Sequence, residues 1–125
     1  MKTVVFDFDG VIHKYREGWK DGSIYDEIDL EVLRYMRELM KKGIAIAIVS
    51  TRDSLQISRK LNGMLEGLYF EREKDIKFFN STEYVAVTNQ KIAATLYIDD
   101  RGFRYSNLED LKSFMRMINL DNKSE

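Results

Sequence analysis

The stretch VVFDFDGV, residues 4–11, places two carboxylates directly after a short apolar segment. Residues 4–6 are typical of a buried β-strand, and Asp7 and Asp9 follow at once. A carboxylate at the end of a buried strand is costly unless a cation or hydrogen-bond donors compensate its charge. Because side chains two residues apart in an extended chain point to the same side, Asp7 and Asp9 should face one site. The stretch therefore predicts a buried first strand with a polar site at its carboxyl end.

Composition limits the classes of protein to which this chain can belong. Its 125 residues are enough for one domain, and a net charge of −1 gives no global basic field for binding nucleic acid. With no cysteine and one histidine, disulfides, thiolate nucleophiles and multi-histidine metal sites are excluded. The longest apolar run, residues 44–49, is too short to span a bilayer, and the N-terminus lacks the apolar core of a signal peptide. We expect a cytoplasmic protein that has no membrane contact.

Helices and strands are predicted to alternate along the chain. Asp29 and Asp53 can each cap a helix, because apolar residues recur at helical spacing after both. The apolar stripe after Asp53 consists of Ile57, Leu61, Met64, Leu65 and Leu68. The predicted strands are residues 3–8, 44–49, 84–87 and 95–98, and a last helix is predicted at about 108–118. Residues 69–82 are ambiguous.

This alternation predicts an α/β fold of the Rossmann-like type, a three-layer α/β/α sandwich around a mainly parallel sheet. We expect a single catalytic domain over residues 1–120 and a frayed tail over 121–125. Turn signals at Gly18 and at Asp21-Gly22 predict a flap or hairpin at about residues 11–28.

Polar residues follow three of the predicted strands at their carboxyl ends. In parallel α/β sheets these ends meet at one rim, where ligands bind. We therefore expect a single site there. The residues expected at this rim are Asp7, Asp9, Ser50, Thr51, Arg52, Asp99 and Asp100.

The residue types at this rim indicate phosphoryl chemistry supported by a metal ion. Four carboxylates favour a cation, and oxygen ligands shared with a substrate phosphate suit Mg²⁺. The Ser50 hydroxyl and the Lys91 ammonium would supply donors to a phosphoryl group. Without cysteine, an aspartate is the expected nucleophile, and Asp9 could protonate a leaving oxygen and then activate water. Gly10 would let the backbone turn sharply beside the phosphate.

Four segments resemble the motifs of the haloacid dehalogenase-like superfamily of phosphatases and phosphotransferases, and they occur in that family's order. They are DFDG at 7–10, IAIAIVSTR at 44–52, NQKIAATLYIDDR at 89–101, and within the last of these the pair Asp99-Asp100. The resemblance implies that Asp7 is the nucleophile and a metal ligand and that Asp9 is the general acid/base, offering its carbonyl to the metal. It implies phosphate binding by Ser50, or by Thr51 in its place, and by Lys91. Of the acid pair, it implies that Asp100 binds the metal directly and Asp99 through water.

Two alternatives keep a phosphate site without turnover. A signalling receiver domain has a similar length and a phospho-accepting aspartate near mid-chain, which invites comparison with Asp53. Receivers, however, have adjacent acids after the first strand and a lysine after a late strand, whereas this chain has spaced acids first and Lys91 ahead of the adjacent pair. The second alternative is a metal-dependent phosphate-binding module.

The intervals between motifs leave no room for an inserted cap domain, so the site is expected to be open. The substrate could be a small phosphorylated metabolite or the phosphorylated end of a nucleic acid or protein, and a second subunit could cover the site. His13, Trp19 and Arg52 are candidate substrate contacts. The aromatic residues of the flap could either contact a substrate or pack the flap against the core.

Overall fold

The computed structural model describes residues 2–99, 102–118 and 120. Within these ranges the chain forms five strands and three helices. The strands are β1 (Thr3–Phe6), β2 (Ala45–Val49), β3 (Phe70–Arg72), β4 (Val85–Thr88) and β5 (Leu96–Ile98), and the helices are α1 (Leu30–Lys41), α2 (Ser54–Leu61) and α3 (Leu108–Met117).

The strands form one parallel sheet in the order β3-β4-β2-β1-β5. The register pairs Val4 of β1 with Ile46 of β2 on one side and with Leu96 of β5 on the other. The predicted α/β class with a parallel, Rossmann-like sheet is confirmed. β1 lies inside the sheet, so the carboxylates that follow it lie between the ends of two neighbouring strands.

Two of the helices, α1 and α2, begin at the side-chain caps that the sequence predicts. The Asp29 carboxylate accepts a hydrogen bond from the backbone N–H of Glu31 (3.0 Å), and the Asp53 carboxylate accepts one from Leu55 N–H (3.1 Å). Each bond satisfies one of the backbone donors that a helix start leaves without an intrahelical partner. Asp53 therefore fixes the start of α2 directly after the polar residues that follow β2.

The prediction that the helix after Asp53 extends to about residue 68 is wrong, because α2 ends at Leu61. Asn62 is extended and its side chain pairs with the backbone of Phe70, donating to the carbonyl (2.8 Å) and accepting from the N–H (2.8 Å). Leu68 is still buried against the core, but it reaches the core from a turn. The ambiguous segment supplies β3, a short edge strand that Asn62 holds in place.

The larger core cluster lies on one face of the sheet and includes buried residues of all three described helices. The strands contribute alternate residues to it, such as Phe6 and Ile48, and burying a side chain of this size contributes about 1.5–3 kcal/mol. The other face is rich in alanine and is covered by Phe79 and Ile92 from irregular segments. In the described chain, the second outer layer is thus made of irregular segments and not of helices.

The direction of the chain explains this arrangement. The connections from β1 through β2 to the edge strand β3 proceed in one direction across the sheet, whereas those from β3 to β4 and from β4 to β5 proceed in the opposite direction. Since connections between parallel strands are right-handed, a return in the opposite direction must cross the opposite face. Residues 73–84 and 89–95 make these crossings without a helix. The strand order reverses beside β1, and ligands of open α/β sheets bind at such a reversal.

None of the helices in the described ranges is long and apolar enough to cross a membrane.

Candidate active site

A cavity of about 410 Å³ lies at the carboxyl ends of β1, β2 and β5. Most of the residues predicted for the site line it together, including those separated by more than eighty positions in the chain. Its lining comprises Val5, Asp7, Asp9, Val49, Ser50, Thr51, Asn89, Lys91, Tyr97 and Asp99.

Asp7 and Asp99 enter the cavity from the ends of neighbouring strands. The backbone N–H of Asp7 donates to the Ile98 carbonyl (3.1 Å), which continues the pairing of β1 with β5. Oδ1 of Asp7 accepts a hydrogen bond from the next residue's backbone N–H (2.8 Å). Oδ1 of Asp99 accepts one from Gly102 N–H (2.9 Å), so the turn after β5 orients this carboxylate. Backbone donors thus position both carboxylates.

Asp9 has charged and ring partners. Nε of Arg52 lies 3.0 and 2.9 Å from its two carboxylate oxygens, and Nδ1 of His13 lies 2.8 Å from Oδ1. The backbone N–H of Asp26 donates to Nε2 of His13 (3.0 Å), so Nε2 carries no proton and Nδ1–H is the donor to Asp9. His13 and Arg52 are 0% and 3% exposed. These two buried residues contact the Asp9 carboxylate, and neither is among the residues that line the cavity.

Ser50 and Thr51 line the cavity at the end of β2. Ser50 is buried, its N–H donates to the Thr88 carbonyl (3.1 Å), and its Oγ accepts from Arg52 N–H (3.2 Å). Thr51 is exposed. Among the described residues the Ser50 hydroxyl donates no hydrogen bond, so its proton is available to a ligand in the cavity, and either hydroxyl can contact a phosphoryl group.

Lys91 reaches the cavity from the segment that follows β4, and its Nζ lies 5.2 Å from the centre of the Tyr97 ring. The Tyr97 hydroxyl accepts a hydrogen bond from Ile92 N–H (3.0 Å) and donates to the Ile92 carbonyl, which fixes the backbone beside Lys91. Asn89, which the sequence did not predict as a site residue, also lines the cavity. Its signal was its position just after β4, whose carboxyl end belongs to the same rim.

Residues 11–28 form an irregular loop beside the cavity. His13 and Ile28 make an antiparallel bridge at its base, and Lys14 N–H donates to the Glu27 carbonyl (2.9 Å). Gly10, at the entrance to the loop, has a φ of +86°, a left-handed conformation that glycine adopts without strain. The loop connects the end of β1 to α1 without a helix or strand of its own.

The candidate substrate contact Trp19 lies on this loop. Its ring is 54% exposed, and the Arg52 guanidinium lies 4.8 Å from the ring centre. Gly22 also lies against the ring, since a Cβ built there would come 2.8 Å from Trp19. Trp19 therefore packs on Arg52 and Gly22 and still presents about half of its surface to solvent.

An ion pair ties together the two sides of the loop. Nε of Arg16 donates to Oδ2 of Asp26 (3.0 Å), and the Arg16 backbone N–H donates to the same oxygen (2.9 Å). The hydrogen bonds from the Arg16 side chain and backbone lower the pKa of Asp26 well below its usual range. Because Asp26 also presents its backbone N–H to His13, this pair supports the residue that contacts Asp9.

The described lining of the cavity has three carboxylates and one ammonium group, an excess of negative charge that favours a cation. In the part of the chain that the structure describes, no group of three or more histidine, cysteine or acidic side chains is placed to hold a metal ion. Mg²⁺ needs fewer, because one or two carboxylates and substrate phosphate oxygens commonly complete its shell with water. Asp7 and Asp99 fit that requirement. The predicted ligand Asp100 lies outside the described residues, as does Arg101.

No family model, curated protein or solved structure matches this chain. Its function must therefore be inferred from the side chains that line the cavity.

Proposed function

We propose that this protein is a Mg²⁺-dependent phosphomonoesterase that forms an aspartyl phosphate on Asp7. The observation that carries the proposal is that one cavity is lined by two aspartates of the same strand end, a hydroxyl, a lysine and a third aspartate. Each of these groups has a role in transferring a phosphoryl group through a carboxylate. The resemblance of the DFDG, STR and IDD segments to the haloacid dehalogenase-like superfamily supports the same assignment.

In the first step a carboxylate oxygen of Asp7 attacks phosphorus and the ester P–O bond breaks. Asp9 gives its proton to the leaving oxygen, so the products are an alcohol and the aspartyl phosphate. In the second step Asp9 takes a proton from water, the water oxygen attacks phosphorus, and the bond between phosphorus and Asp7 breaks. Inorganic phosphate leaves and both carboxylates return to their starting forms.

The other lining residues would bind the transferring group. The Ser50 or Thr51 hydroxyl and the Lys91 ammonium are donors for the phosphoryl oxygens, where negative charge must be stabilised during transfer. Asp7 and Asp99 would hold Mg²⁺, which supplies positive charge to the phosphoryl group when it is bound. Without that cation, the ionised carboxylates of Asp7 and Asp99 would repel a phosphate dianion.

A receiver-like role has less support. Its comparison depended on Asp53 as a phospho-acceptor, and the Asp53 side chain instead caps α2 and is not among the residues that line the cavity.

The test is hydrolysis of an aryl phosphate by purified protein with Mg²⁺, with excess chelator, and after Asp7→Asn. Asparagine keeps the shape of the side chain but removes the nucleophile, so turnover should fall by about three orders of magnitude or more. Chelator should abolish turnover and Mg²⁺ should restore it. Asp53→Asn is the matched control, because Asn caps a helix about as well as Asp does. If Asp7→Asn keeps a rate near that of the wild type, the proposal is wrong.

A further inference from the structure

Arg52 has a set of contacts that the proposed reaction does not use. It lies three residues beyond the end of β2, it is 3% exposed, and its Nε contacts both carboxylate oxygens of Asp9. A buried arginine pays a large desolvation cost unless its charge is compensated. The partner that compensates it is the residue assigned to proton transfer.

The same guanidinium contacts the loop of residues 11–28. Its Nη1 donates to the carbonyl of Gly22 (2.5 Å), and its centre lies 4.8 Å from the ring of Trp19 and 5.8 Å from the ring of Tyr15. Nη2 is buried and has no hydrogen-bond partner among the described residues. Arg52 is therefore held by Asp9 through Nε and by the loop through the Gly22 carbonyl and the two aromatic rings.

We propose that Arg52 is a positioning residue that couples the loop of residues 11–28 to the carboxylate of Asp9. The inference rests on the proposed function, because it concerns the general acid/base of that reaction. The guanidinium is planar, so a shift of the loop at Gly22 or Trp19 moves Nε relative to Asp9. A lysine at this position has a single ammonium, which cannot keep the contacts with both Asp9 and the Gly22 carbonyl.

The contacts also distinguish the two oxygens of Asp9. Oδ1 accepts from both His13 and Arg52, whereas in the described part of the chain Oδ2 accepts from Arg52 alone. Each carboxylate oxygen has two lone pairs, so Oδ2 keeps one for the leaving group or for water. The hydrogen bonds of Arg52 and His13 together orient the carboxylate, so Oδ2 is the atom that transfers the proton.

The test separates the two half-reactions with one aryl phosphate. Its leaving group needs little protonation, so a burst of phenol reports phosphorylation of Asp7, and the steady rate reports hydrolysis of the phosphoenzyme, which needs Asp9 as base. In Arg52→Met the burst rate should fall less than about tenfold, while the steady rate should fall about a hundredfold, within the range of lost general base catalysis. Phosphoenzyme should accumulate. Arg52→Lys should give a smaller loss in the same step, and Arg59→Met, which changes an exposed arginine of α2, should change neither step.

Loss of folding is distinguished from loss of positioning by measuring thermal stability of every variant. If Arg52→Met does not fold, Arg52→Lys provides the same comparison. Equal losses in burst and steady rate for a folded variant would overturn the inference. If Asp7→Asn forms no phosphoenzyme while Arg52 variants lose both steps equally, the proposed function stands and only this inference fails.

The loop side of the coupling is tested with Trp19→Ala. This change removes the ring over the guanidinium, so it should slow the same half-reaction by a smaller factor. Since both residues act on Asp9 through one guanidinium, the effects of Trp19→Ala and Arg52→Met should not add in the double variant. Additive effects would overturn the coupling.

Discussion

Asp7 and Asp9 are two residues apart, but their surroundings differ. Asp7 accepts a hydrogen bond from the neighbouring backbone N–H and lies beside the end of β5, whereas Asp9 accepts from a buried guanidinium and a buried imidazole. Paired carboxylates in active sites take different roles when their environments differ. This difference supports the proposed roles, with Asp7 as the nucleophile and Asp9 as the residue that moves a proton.

The variant Asp9→Asn tests the proton-transfer role of Asp9 directly. The variant should still transfer a phosphoryl group from an aryl phosphate to Asp7, because that leaving group needs little protonation. It should fail with alkyl phosphates, with a loss of about 10²–10⁴-fold, and its phosphoenzyme should persist because water is not activated. Rates for both substrates, measured with single-turnover kinetics, check this. Equal losses on the two substrates would argue against a proton-transfer role for Asp9.

The residues that follow the strand ends could be predicted from the sequence, but the contacts of Arg52 and His13 with Asp9 could not. Asp7, Ser50, Lys91 and Asp99 could be placed because parallel strands bring their carboxyl ends to one rim. The ion pair of Arg52 with Asp9 joins positions 43 apart and depends on how the loop packs, which no spacing rule specifies. His13 was singled out as a candidate substrate contact, whereas the structure places it in the core, bonded to Asp9 and to the backbone of Asp26.

Among the elements, the loop of residues 11–28 has the most direct link to the site. Its base is tied to the core by His13, and its two sides are tied together by the Arg16–Asp26 pair. Tyr15 and Lys20 adopt positive φ values of 61° and 53°, which non-glycine residues adopt at some cost. Tertiary contacts hold the loop in this conformation, and those contacts converge on Asp9.

The Arg16–Asp26 pair predicts how the stability of the loop depends on pH. The pKa of Asp26 is lower in the folded chain than in the unfolded chain, so the pair stabilises the folded state above the unfolded value of about 4. That contribution should decline as the pH falls from about 4 towards the lower folded value. Thermal unfolding of the wild type and of Asp26→Asn checks this. The wild type should be slightly more stable at neutral pH, and the difference should shrink in acid.

Salt provides the control for that prediction, because Arg16 is exposed and an ion pair with an exposed partner is screened at high ionic strength. The neutral-pH difference between the wild type and Asp26→Asn should shrink in high salt. A difference in stability that is unchanged by acid and by salt would contradict an electrostatic role for the pair.

The helices and strands could be predicted where local signals and tertiary packing agree. Asp29 and Asp53 are caps followed by apolar residues at helical spacing, and both helices start there. The end of α2 could not be predicted, because Leu68 continues the apolar stripe although the chain has left the helix at Asn62. β3 has three residues, of which two are exposed, so it lacks the alternation that marks a longer strand.

The order of the strands in the sheet determines where the site lies. β1 pairs with β2 on one side and β5 on the other, and the chain reverses direction there, so residues from three strand ends and from the segment after β4 meet in one cavity. The parallel sheet could be predicted from the alternation of elements. The covering of its alanine-rich face by irregular segments could not, because a continuous apolar run such as residues 44–49 shows that both faces are buried without showing by what.

The central claim is that Asp7 becomes covalently phosphorylated, and direct trapping tests it. Wild-type protein is mixed with Mg²⁺ and an aryl phosphate, quenched in acid during turnover, and reduced with borohydride, which converts a phosphorylated aspartate into homoserine. Mass spectrometry of the digested protein then identifies the converted residue, and Asp9→Asn, in which the intermediate should accumulate, raises the yield. The account predicts conversion at Asp7 that depends on Mg²⁺ and on substrate. Conversion at another aspartate, or none in a sample that is turning over substrate, would contradict it.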